Sequence, residues 1–84
     1  MSKVAFAVAH RELGHIAQTE DGKLFYVDSA ITFDNGFETM VFPCDEDGQV
    51  TSWFELYVEH YKSEEEMEQR HKYICRNLEE VLNQ

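Results

Sequence analysis

The chain has 84 residues, 43% of them hydrophobic and 13% aromatic, and a formal net charge of -10. A chain this short buries only roughly 60 to 65% of its unfolded surface, which predicts one domain spanning residues 1–84 and excludes a second lobe closing over a deep cleft. The aromatic content argues for a compact core, and the acidic balance argues against direct binding of nucleic acid. That charge is unevenly placed: residues 1–33 carry four acids against three basic residues, and residues 34–84 carry thirteen against four. An acidic surface so dense attracts basic partners.

The apolar run from Val4 to Ala9 alternates large and small side chains at a period of two, which predicts a strand. It is too short for the apolar region of a signal sequence or for a membrane span. Cys44 and Cys75 form no Cys-x-x-Cys pair, as expected of reduced thiols in a cytoplasm. Between His10 and Gly22 the pattern is broken by Gly14 and by Glu20-Asp21-Gly22, so only His15 to Gln18 is expected to pair briefly with the next run of the chain.

From Leu24 to Phe33 aromatic and β-branched residues predict a strand, and Asp34-Asn35-Gly36 predicts a tight hairpin into a return strand from Phe37 to Phe42, closed by Pro43. A second turn, Asp45-Glu46-Asp47-Gly48, leads to a third run from Val50 to Tyr61, with Phe54, Leu56 and Val58 on one face and Trp53, Glu55, Tyr57 and Glu59 on the other. Ser63 before Glu64, Glu65 and Glu66 is a capping-box start. Met67, His71, Ile74, Leu78 and Val81 then recur at helical spacing, which predicts one helix of about 19 residues with an apolar stripe. The fold class is α+β: an antiparallel β-meander of three to four strands with one C-terminal helix packed on one face.

Few residue groups suggest chemistry. His71 and Cys75 share a helix face, and Cys44 and His60 would complete a tetrahedral zinc set, but the close ligand pairs of zinc ribbons are absent. The expectation is a histidine hydrogen-bonded at the core edge beside an ordinary buried thiol, with no metal and no cofactor. Cysteine catalysis from the same pair would also need an oxyanion loop and an orienting acid, and no segment offers them. His10 and His15 are five apart, where a metalloprotease helix needs four, and Asp45-Glu46-Asp47-Gly48 lacks the remaining ligands of a calcium loop. The chain is therefore expected not to be an enzyme.

Glu38, Glu55 and Glu59 lie on the expected strands between Phe37, Trp53 and Tyr57. Carboxylates spaced along a strand and backed by rings can occupy a basic site on another protein. The candidate partner-binding residues are Glu38, Asp45, Glu46, Asp47, Glu55, Glu59, Trp53 and Tyr57, reinforced by Glu64 and Glu65 near the helix start.

The run Gly36-Phe37-Glu38-Thr39-Met40-Val41-Phe42, followed by Trp53-x-Glu55-Leu56, Tyr61 and a glutamate-led helix containing His71, resembles small uncharacterised proteins encoded by bacteriophages and prophages. The likeness covers roughly residues 27–76 and implies expression in a bacterial cytoplasm. It brings no activity and no functional residues, but it raises the expectation of interaction with host machinery, and with the acidic charge the leading expectation is a non-enzymatic protein that binds a host protein, such as one with a basic nucleic-acid-binding surface that it would block. The alternative is an assembly role, as a homo-oligomer or attached to a virion component through exposed aromatics and an unpaired strand edge.

Overall fold

A computed structural model describes residues 11–32, 34 and 36–83; the strand expected from Val4 to Ala9 lies outside them. Strand β1 (Arg11–Gln18) pairs along its whole length with β2 (Leu24–Thr32), Arg11 opposite Ile31 and Gln18 opposite Leu24. The pairing is longer than the expected His15 to Gln18 because Gly14 is not a breaker here. A Cβ at that position would collide with the Tyr26 hydroxyl, so the missing side chain is what lets the Tyr26 ring cross the neighbouring strand.

β2 leads to an antiparallel β3 (Gly36–Pro43), with Thr32 opposite Gly36, whose φ of +69° is open to glycine at little cost. β4 (Tyr57–Tyr61) adds to β3, giving an antiparallel sheet of order β1-β2-β3-β4.

The run from Val50 to Tyr61 is not one strand. After an isolated bridge of Val50 with Cys44, the chain leaves the ladder and rejoins it only at Tyr57. Pro43 supplies the reason. The Cys44 N–H donates to Leu24 on β2, so the N–H missing at Pro43 is the one that would face the returning chain. The Pro43 and Val41 carbonyls still accept from the N–H groups of Thr51 (3.0 Å) and Leu56 (2.8 Å), and the residues between them arch outward.

Helix α1 (Glu64–Arg76) and the short α2 (Leu78–Leu82) pack against one face of the sheet. There Ile74, Leu78 and Val81 close on Ala17, Phe25, Val27 and Val41, and all five stripe residues of the expected helix are buried. Ser63 caps α1 as expected, accepting the Glu66 N–H at 3.2 Å, while the Glu66 carboxylate reaches back to the N–H of Lys62.

The single long helix is broken at Asn77, whose φ of -126° is not helical. Its side-chain amide and its backbone N–H both donate to the Tyr73 carbonyl at 2.9 Å, the local competition by which a short polar side chain ends a helix. α2 is in turn held to the β1–β2 turn by the Glu20 N–H donating to the Glu79 carboxylate at 2.6 Å.

Gly14→Ala should destabilise the fold by about 1 to 3 kcal/mol, because the Tyr26 ring must move to admit the methyl group. Chemical denaturation of the two proteins measures the difference.

Candidate functional site

Two groups of side chains stand out, one buried and one exposed. The buried group starts from the alternation of the strands, which aims His15, Ser29 and Thr39 from β1, β2 and β3 at the helix-covered face. α1 lays His71 over them with 3% of its surface exposed. The His71 Nδ1 lies 2.6 Å from the Ser29 hydroxyl, which is 2.5 Å from that of Thr39, and its Nε2 lies 2.8 Å from the Nδ1 of His15. Thr39, Ser29, His71 and His15 thus form a continuous polar line across three strands and a helix. The two imidazole rings meet edge to face at 5.0 Å.

Burial first, and the neighbouring His15 ring second, push the His71 pKa down from its ordinary 6.5 to about 4. One turn further along α1, burial pushes the Cys75 thiol up. A thiol held protonated is a poor nucleophile, which weighs against cysteine catalysis. The Cys75 Sγ and one nitrogen of each ring nevertheless lie within 4.8 Å of one another, a donor set suited to a borderline metal ion.

The expectation for His71, a histidine hydrogen-bonded at the core edge, agrees in its bonding, and the ring lies deeper than expected, 3% exposed. The zinc quartet weighed from the sequence does not assemble: Cys44 sits at the far end of β3 opposite Val50, and the His60 Nε2 on β4 lies 3.1 Å from the Glu38 carboxylate. The third member of the real group, His15, was missed because it lies 56 residues away from His71 in sequence. The signal it carried was its place between Leu13 and Ala17 at a period of two, which Gly14 obscured.

The expected acidic face is divided. Glu38 points away from the helices, is only 6% exposed and is engaged by His60, so it is not presented to a partner. Glu59 lies on the opposite, helix-covered face, where it accepts from Arg70 at 3.2 Å and from the Tyr61 hydroxyl at 3.0 Å. Arg70 in turn stacks on the Tyr73 ring at 4.7 Å. Tyr57 is partly buried against the core, and Glu64 is half-buried where α1 begins. Asp45 turns its carboxylate onto its own loop, accepting from the N–H groups of Asp47 and Gln49, both at 2.9 Å.

Glu46, Asp47, Glu55 and Glu65 remain exposed. All but Glu65 lie on the β3–β4 connection, which also carries Trp53, 70% exposed, and Phe54, 77% exposed. Trp53 rests edge-on against the Phe42 ring at 5.0 Å, with most of its surface bare. Leu56 adds a further exposed apolar side chain. Among the described residues no helix is long and apolar enough to cross a membrane.

No protein-family model, no curated protein and no solved structure matches this chain.

The depressed His71 pKa makes stability depend on pH. The unfolded chain takes up a proton near pH 6.5, the folded protein resists until about pH 4, and stability falls as pH drops through that window by up to about 3 kcal/mol. Denaturation between pH 5 and 6.5, above the carboxylate range and with a chelator present, should show about half of this loss, and His71→Asn should flatten the slope.

Proposed function

We propose that this chain acts by binding another protein and not by catalysis, as a phage-type protein that docks the β3–β4 connection onto a basic surface of a host protein in the bacterial cytoplasm. The observation that carries the reading is the joint exposure of Trp53 and Phe54 beside Glu46, Asp47 and Glu55 on that one connection. Large exposed aromatic side chains are the ones that dominate binding energy when a partner covers them. Carboxylates around them steer a basic partner into contact and set its orientation. A surface that binds nucleic acid is such a partner, and covering it would inhibit its function.

Of the remaining candidates, Asp45 braces the connection from within, while Glu38, Glu59 and Tyr57 are taken up by the sheet and helix. An assembly role is the second reading, favoured by the exposed Ile16 and Val58 on the sheet face away from the helices. A second copy of the chain would cover them.

Trp53 is the only tryptophan and reports on its own surroundings. Affinity capture from a bacterial lysate at low salt, followed by titration of the purified partner against Trp53 fluorescence, should give a blue shift on binding that weakens clearly as salt rises. Trp53→Ala and a Glu46→Lys, Asp47→Lys double variant should each lower affinity by tenfold or more without altering the circular dichroism spectrum. Binding that ignores salt and both changes would sink the proposal. Concentration-dependent self-association in sedimentation, abolished by Val58→Lys, would move the weight to assembly.

A further inference from the structure

We propose that His15, His71 and Cys75 form a zinc site with three protein ligands and an exchangeable fourth position. Tetrahedral zinc holds nitrogen at about 2.0 to 2.1 Å and sulfur at about 2.3 Å, so two imidazole nitrogens on one ion stand roughly 3.3 Å apart. The His15 Nδ1 and the His71 Nε2 are 2.8 Å apart, and the Cys75 sulfur completes a group spanning no more than 4.8 Å. Admitting the ion needs the sulfur, as much as 4.8 Å from a ring nitrogen, to close to about 3.5 Å, and a retreat of about 0.5 Å by one ring. His15, exposed on β1, can make it, whereas His71 is locked in the core.

The surroundings of His71 are those of a metal ligand. Its Nδ1 is held by Ser29, which is itself held by Thr39. That outer bond places the His71 proton on Nδ1 and turns the Nε2 lone pair toward the group, where it accepts from the His15 Nδ1–H until an ion replaces that proton, which is how outer hydrogen bonds orient a ligating imidazole. On binding, His71 keeps its Nδ1 proton toward Ser29 and His15 carries its proton on Nε2. The Cys75 thiol proton passes to solvent, so the ion gains one thiolate and two neutral rings.

The fourth position faces an open cleft whose walls include Lys72 and Arg76. With one thiolate against a divalent ion, the site keeps a net positive charge. These two side chains then favour water-derived hydroxide or a carboxylate as the fourth ligand. The site is independent of the β3–β4 connection and stands or falls apart from it.

Chelator-treated protein should bind one zinc per chain in competition with a chromophoric chelator. Cobalt in its place should give a thiolate-to-metal absorption band. His15→Gln and Cys75→Ser should each weaken zinc binding by tenfold or more, Cys75→Ser should abolish the cobalt band, and Cys44→Ser should change neither. Thermal melting in chelator confirms that the variants are folded, and the exposed His15 keeps the test open if Cys75→Ser is not. Absence of one-to-one zinc binding, binding unaffected by His15→Gln in a folded protein, or a cobalt complex without the thiolate band would overturn the proposal.

Discussion

The position of the helix over the sheet depends on the buried imidazole of His71. An apolar stripe alone would let α1 slide or rotate by a residue with modest loss, because burial is roughly proportional to area and indifferent to direction. A hydrogen-bonded ring is not indifferent. His71 must meet Ser29 on one side and His15 on the other, and Ser29 must meet Thr39, so a shift of α1 would strand polar groups that are buried in the sheet. Each such group left without a partner costs about 1 to 3 kcal/mol. Met67, Ile74, Leu78 and Val81 then supply the apolar contact around a register already chosen.

The same sheet separates the acids by use. Alternation along β3 and β4 sends Glu38 and Glu59 to opposite faces, and each is engaged by a nearby side chain, the His60 ring or the Arg70 guanidinium. Acids built into the fold in this way cannot also serve recognition. Most of the candidate acids that escape pairing cluster where the ladder fails, on the arch that Pro43 forces between β3 and β4. A missing amide on one strand therefore decides where the aromatic and acidic surface is displayed.

Much of the architecture was legible because it rests on local signals. The Asp34-Asn35-Gly36 hairpin, the Ser63 cap and the five-residue stripe each depend on chemistry within a few residues. The readings that failed needed information from elsewhere in the chain. Gly14 reads as a breaker until Tyr26 is known to lie across it, and Val50 to Tyr61 reads as a strand until Pro43 is seen to withhold its amide from that side. Asn77 falls between two stripe residues, and periodicity alone does not show that its amide turns back on Tyr73. His15 joins His71 and Cys75 only through the strand register, which no spacing within a helix could reveal.

The break at Asn77 has an electrostatic consequence for the buried group. A helix carries partial negative charge at its C-terminal end, confined to the last turn. In an unbroken helix that end would fall near Leu82, but here it falls at Arg76, directly after Cys75. The aligned peptide dipoles of α1 therefore point their negative pole at the turn that carries Cys75, worth about 0.3 to 1 kcal/mol to a positive charge held there. A polar residue whose evident role is to end a helix thus also tunes the potential beside His15, His71 and Cys75.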